Sequence, residues 1–301
     1  MISENASSFN NKPVVDFEGT ISPDKAYRIR IDYDSEVTFG SLIKQFCEDP
    51  NAQQVEEIIL GNWFGDVSEP EESNFPVDAL VENKDKLPNL KYIFLGDITY
   101  EECEISWIEN ADVNSIFKAY PELKYFKVRG GNGLSFGELK HDALETLIVE
   151  TGGLGAGSID ELAKAELPNL KHFEIWTGDE NYGWDGNINT FKPFFSKDKF
   201  PKLEYLGLCD CDITDQIAVA LKDASVLDII STLDLSRGTL GDEGAAALLA
   251  NKKIENLKFL NLRFHYMSSK MTEKISALPV EVNVGDQQEE EEYGRYVEVS
   301  E

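Results

Sequence analysis

Two cysteines flank an aspartate in Cys209-Asp210-Cys211, and paired thiolates at close spacing can bind soft metals or exchange disulfides. Cys211 reads as an inward-facing structural residue while Cys209 faces out, so the two sulfurs diverge. Gly133-Leu134-Ser135-Phe136-Gly137 matches the G-x-S-x-G pattern of a serine nucleophile, which also needs an oriented His–acid pair. Only His141, His172 and His265 are available, and the pattern falls in a connection between apolar repeats. The glycine-rich run from Gly152 to Gly157 follows a strand pattern and precedes a helix pattern, the setting that cradles phosphate. Yet Ser158 stands where the third glycine of the dinucleotide motif belongs, and no Lys-Ser/Thr pair follows. Asp179, Asn181 and Asp185 suggest a calcium loop, but Thr190 replaces its bidentate Glu and Gly183 replaces another ligand. Asp97, Glu101, Glu102, Cys103 and Glu104 could converge on a hard cation, although such carboxylates equally suit a solvated helix start. No His or Cys cluster has zinc-ligand spacing, so the sequence offers no catalytic set, no metal site and no cofactor site.

The elements carrying these residues recur. A pattern L-x-x-L-x-L appears as Leu90/Ile93/Leu95, Leu123/Phe126/Val128, Leu144/Leu147/Val149, Leu170/Phe173/Ile175, Leu203/Leu206/Leu208, Ile230/Leu233/Leu235 and Leu257/Leu260/Leu262. The last two positions of each copy are two apart, so both point into a core while the residues between and beside them point out. Helix patterns follow, as in the run from Asp242 to Leu249, and Ser158-Ile159-Asp160-Glu161 reads as a capping box. One such unit cannot bury its apolar face alone, whereas stacked units can. The expected fold is an α/β leucine-rich-repeat solenoid, a curved horseshoe with parallel strands on the concave face and helices outside. Val55/Ile58/Leu60 begins the stack and Pro279/Val282/Val284 ends it, giving a solenoid over residues 55–285. Residues 1–54 read as an N-terminal cap: a hairpin of residues 14–17 with 27–33, then a helix from Phe39 to Cys47. Residues 286–301 read as an acidic tail whose Tyr296-Val297-Glu298-Val299 patch can dock back on the body.

Charge narrows the partners. With 28 Lys+Arg against 56 Asp+Glu, the formal charge is −28, which disfavours nucleic acid and anionic membrane surfaces. A protein partner is expected, and a basic one is the better electrostatic match. The opening residues MISENASSFNNKP lack a positive n-region and an apolar h-region, so the expected location is cytoplasmic. No apolar run approaches the roughly 18 residues that span a bilayer.

The segments LGDITYEECEISW (95–107), VETGG (149–153), LDLSRGTLGDEGA (233–245) and RYVEVSE (295–301) resemble a family of bacterial cytoplasmic leucine-rich-repeat proteins. The third segment also resembles ribonuclease-inhibitor-type repeats. The resemblance implies a horseshoe in a bacterial cytosol and supplies no catalytic residues. Some members resemble components of gene clusters encoding radical-chemistry enzymes, which implies an accessory role.

Function is therefore expected on the outward strand positions. One column holds Tyr92, Tyr125, His172 and Tyr205; the next holds Phe94, Lys127 and Glu174; a third holds Arg129, Glu150 and Trp176. Exposed aromatics interleaved with charge suit a protein interface. The expected function is thus a non-catalytic interaction or scaffold module, with oligomeric state undetermined by sequence. The alternative is an enzyme or a small-molecule or metal-binding accessory protein, built on loops from Asp97 to Trp107, Arg129 to Gly133 and Thr151 to Gly157.

Overall fold

A computed structural model describes residues 1–32, 34–64, 75–292 and 294–301. Among the described residues one sheet of 12 strands forms, and its spatial order is its sequence order. The strands are β1 (Ser8–Phe9), β2 (Lys12–Asp16), β3 (Ala26–Ile29), β4 (Glu57–Leu60), β5 (Tyr92–Leu95) and β6 (Tyr125–Arg129). They continue through β7 (Thr146–Glu150), β8 (His172–Gly178), β9 (Tyr205–Cys211), β10 (Thr232–Asp234), β11 (Phe259–Asn261) and β12 (Glu281–Asn283). From β2 to β12 every pairing is parallel, which requires each connection to cross back over the core. Eight helices among the described residues make or flank those crossings: α1 (Phe39–Glu48), α2 (Phe75–Glu82), α3 (Asn114–Ala119), α4 (Ala156–Lys164), α5 (Ile188–Phe191), α6 (Thr214–Ala220), α7 (Asp242–Ala250) and α8 (Ser269–Ser276). This is a leucine-rich-repeat solenoid.

Local chemistry explains the helix ends. Thr38 caps α1 by accepting from Ser41 N–H, and its buried residues Phe39, Ile43, Phe46 and Cys47 follow the helical period. Ser268 caps α8 in the same way through Met271 N–H. The expected capping box at Ser158 does not form. Instead α4 starts at Ala156, whose N–H donates to Asp185 Oδ1, while Ser158 Oγ donates to the Leu134 carbonyl 2.6 Å away. A neighbouring repeat supplies the acceptor, so the helix gains Ala156, Gly157 and Ser158 at its start.

The N-terminal hairpin is also placed differently. β2 and β3 pair in parallel, Val14 opposite Ala26 and Val15 opposite Tyr27, so residues 12–16 and 26–29 extend the solenoid sheet. Tyr33 lies outside the described residues. The connection carries Phe17 and Ile21 into the core, which an antiparallel return would leave exposed. The actual hairpin joins β1 to β2 through Asn10 and Asn11, with φ of 47° and 62°. Two consecutive positive φ values match a two-residue primed turn, in which asparagine is favoured.

The core is a continuous apolar layer between sheet and helices, with phenylalanines at its centre. Phe173 is fully buried, its ring 4.9 Å from Phe194 and 5.1 Å from Phe200. Phe173→Ala is expected to cost about 3–5 kcal/mol. The check is the urea midpoint at unchanged slope; a loss below about 1 kcal/mol would show that the three rings do not support one another.

Candidate functional site

Strand register lines up the outward residues across neighbouring repeats. Tyr92 lies opposite Tyr125, Tyr125 opposite Thr146, Thr146 opposite His172, and His172 opposite Tyr205. All five are half-buried. The rings hold one another: Tyr92 and Tyr125 centroids are 6.4 Å apart, and Phe9 packs edge-on to Tyr125 at 5.3 Å. His172 stacks on Tyr205 at 3.8 Å, with the two planes 9° apart.

The next two rows are more enclosed. Lys127 and Glu174 are half-buried, whereas Phe94, Arg129, Glu150 and Trp176 are buried, which corrects the expectation that they are open to a partner. Around Arg129 a charge ladder crosses several strands. Arg28 Nη1 reaches Asp97 Oδ2 at 3.0 Å, and Arg129 Nη1 lies 3.9 Å from Asp97 Oδ1. Arg129 Nε then bonds Glu150 Oε2 at 2.9 Å, while Lys127 Nζ meets Glu150 Oε1 at 2.6 Å. Lys127 and Arg129 both sit by the Phe94 ring, at 4.5 and 5.2 Å from its centroid. Burial alone would raise the Glu150 carboxyl, but Lys127 and Arg129 outweigh it and hold it below the ordinary 4.5.

A second network runs beside the first. Trp176 Nε1 donates to Glu174 Oε1 at 2.7 Å, and His172 Nε2 lies 3.1 Å from Glu174 Oε2. Tyr205 donates to Asp234 Oδ2 at 2.7 Å, which also accepts from Asn261 Nδ2. Burial pushes the Tyr205 phenol well up, so it stays a donor at physiological pH. Cys209 is buried here and its thiol is raised by the same cause, the opposite of an activated nucleophile.

Both terminal segments of the chain cover the enclosed rows. Ala6 N–H donates to the Asp97 carboxylate at 3.1 Å, and Asn5 Nδ2 donates to the Asp97 carbonyl at 2.8 Å. From the other side, Val297 and Val299 are buried and Glu298 N–H donates to the Arg237 carbonyl at 2.8 Å. Arg237 in turn lies 4.5 Å over the Trp176 ring. The docking expected of the patch 296–299 therefore occurs. Arg237 escapes the column analysis because it follows the column by one position; its φ of 67° marks a turn that the strand pattern does not encode.

The other motifs resolve into packing. Ser135 Oγ is 3.1 Å from the Glu161 carboxylate, which also accepts from Phe136 and Gly137 N–H, while His141 Nε2 bonds the Tyr120 carbonyl. Serine and histidine are thus engaged apart. In the glycine-rich loop, a Cβ at Gly153 would lie 1.9 Å from the Tyr182 carbonyl oxygen. Gly178, with φ +70°, would place a Cβ 1.7 Å from the Gly152 oxygen. Those glycines mark where two backbones cross. Asp179 accepts from Asn181 N–H in its own turn and Asp185 accepts from Ala156 N–H in the preceding repeat, so both carboxylates serve the backbone. The loops 97–107, 129–133 and 151–157 do meet, but in direct contact: Arg129 Nη1 donates to the Ile98 carbonyl, and a Cβ at Gly131 would lie 2.7 Å from Gly153 O.

Comparison with solved structures finds a Bacteroides fragilis protein, determined as a Northeast Structural Genomics Consortium target, that is 34% identical. The match covers 90% of this chain and 76% of that one at a TM-score of 0.81. The chain belongs to that protein's family. A Listeria monocytogenes internalin matches at 14% identity over 89% of this chain and 69% of its own, with a TM-score of 0.44, too low to bear on the argument. No family model matches the chain, and no curated protein does.

Two carboxyls on this face respond to pH with opposite sign. The Glu150 value is depressed on folding, so its stabilisation is present above the ordinary carboxylate range and is lost as pH falls through the lowered value. Glu150→Gln is expected to cost about 3–5 kcal/mol near neutral pH and to flatten the acid limb of a stability–pH curve. An unchanged acid limb would show that the ladder contributes nothing there. Asp210 is the reverse case: burial pushes its carboxyl well above 3.8, against the Val299 N–H and Arg237, which pull it down. Its favourable contribution exists below that ordinary value and is lost as pH rises through the elevated one. Asparagine tolerates the φ of 49° at this position and keeps an acceptor for Val299 N–H. Asp210→Asn is therefore expected to melt higher than the parent in mildly alkaline buffer and to match it in acid. A lower melting temperature in alkaline buffer would contradict this.

Proposed function

We propose that this protein is a non-catalytic interaction module that docks a partner protein on the aromatic row of its strand face, with Tyr92, Tyr125, His172 and Tyr205 as the contact surface. The observation that carries this reading is the preordering of these half-open rings. Tyr92 rests on Tyr125, and His172 is stacked on Tyr205 and hydrogen-bonded to Glu174. Rings already held in place bury area on binding with little further loss of side-chain freedom. Lys127 and Glu174 border the row and supply charge for registering a partner. Solenoids of this type generally act by protein binding, and the engagement of Ser135 away from any histidine favours that over acyl transfer.

The formal charge of −28 favours a basic partner over nucleic acid or an anionic bilayer. No helix among the described residues is long and apolar enough to cross a membrane. Four free cysteines support a reducing, cytoplasmic setting.

The test is affinity capture from a lysate of the source organism at low and high salt, with the parent chain beside a Tyr92→Ala/His172→Ala variant. The expected result is one reproducible partner, retained better at low salt and bound roughly ten-fold more weakly by the variant. Equal retention by parent and variant, or no partner at either salt, would overturn the reading.

A further inference from the structure

Beyond the C-terminal ends of β8 to β11, residues 295–301 lie against the body with a bend at Glu298; Arg295 meets Asp215, Val299 meets Asp210 and Glu301 meets Tyr182. The contacts have the form of peptide recognition. Arg263 grips the Glu298 carboxylate with two bonds of 2.7 Å, from Nη1 to Oε2 and from Nη2 to Oε1. Arg237 Nη1 joins Oε2 from the other side. The peptide backbone is read twice: Glu298 N–H donates to the Arg237 carbonyl at 2.8 Å, and Val299 N–H to Asp210 Oδ1 at 2.9 Å. Val297 and Val299, on either side of that glutamate, are buried against the body. A paired-arginine grip, backbone acceptors and two apolar seats select a segment of pattern apolar–Glu–apolar.

Arg237 and Arg263 are cations on a strongly acidic protein; Arg263 also meets Asp286 Oδ2 at 2.6 Å, so Arg237 is the guanidinium that an acidic ligand chiefly neutralises. The docked segment also leaves a cost behind. Among the described residues Asp210 Oδ2 is buried with no hydrogen-bond partner, although its sister oxygen is satisfied by Val299. The unsatisfied oxygen weakens the docked state relative to a fully satisfied contact.

We propose that this clamp is a receptor for an acidic segment of a partner protein with the pattern apolar–Glu–apolar, residues 297–299 being an exchangeable occupant supplied in cis. The proposal is independent of the aromatic row, because it uses none of that row's side chains and another ligand chemistry.

The probe is a fluorescein-labelled peptide GRYVEVSE, corresponding to residues 294–301, titrated by anisotropy into the full chain. In the parent, the tethered segment competes at an effective concentration on the order of mM, so the peptide should bind weakly. Glu298→Lys repels the tethered copy and leaves both arginines intact, and is expected to bind the peptide at least about ten-fold tighter. Adding Arg263→Gln, or placing the Glu298→Gln change in the peptide, should abolish that gain. Tyr92→Ala should leave it intact. Equal weak binding by the parent and Glu298→Lys, or equal binding of the glutamate and glutamine peptides, would overturn the proposal. Should Glu298→Lys fold poorly, hydrogen exchange in the parent decides. The Val299 amide is expected to exchange far faster than the strand amide of Val149, and faster still with excess peptide; exchange as slow as Val149 and unmoved by peptide makes the segment a fixed part of the fold.

Discussion

A buried carboxylate, Asp97, organises the centre of the strand face. It sits in the loop after β5, takes the Ala6 N–H from the start of the chain, and lies between Arg28 from β3 and Arg129 from β6. A charge so placed is costly unless its oxygens are matched, and here they are matched by groups far apart in sequence. The N-terminal segment is thereby fixed across the strands. Phe9 then reaches Tyr125 and Asn10 reaches Glu57. Arg129 passes the constraint on to Glu150 and Lys127, so the middle repeats share one electrostatic frame.

The repeat architecture was readable from residue types because its rule is simple. Residues two apart in each strand must both be apolar, and Ile93/Leu95, Phe173/Ile175 and Leu206/Leu208 satisfy that without help from context. The edges of the pattern were less legible. β2 and β3 alternate as a hairpin would, and nothing local separates a parallel from an antiparallel return; the decision lies in Phe17 and Ile21, which must cross the core. The Asn10-Asn11 turn did carry a local signal, since asparagine is among the few residues that accept left-handed backbone.

The site was legible by column and illegible by depth. Register put Tyr92, Tyr125, His172 and Tyr205 in one row as the spacing implies. Burial of Phe94, Arg129, Glu150 and Trp176 depends on segments that lie outside the repeats in sequence and come back over them. Periodicity carries no information about such returns. The motif matches at Ser135 and at the glycine-rich loop failed for a related reason, because crossing backbones use the same small residues that catalytic turns use.

The two ends of the sheet are finished in unlike ways. At one end, the β1–β2 hairpin lays an antiparallel segment beside the first parallel strand. At the other, β12 has only three residues, pairs with β11, and carries the exposed Glu281 two positions after Pro279. An open parallel edge is a template on which an identical molecule could add its own strand, and repetition of that step would build a fibre. A border this short and charged gives an incoming strand few bonds and a repulsive neighbour. The stack can therefore grow by repeats within one chain without inviting growth between chains.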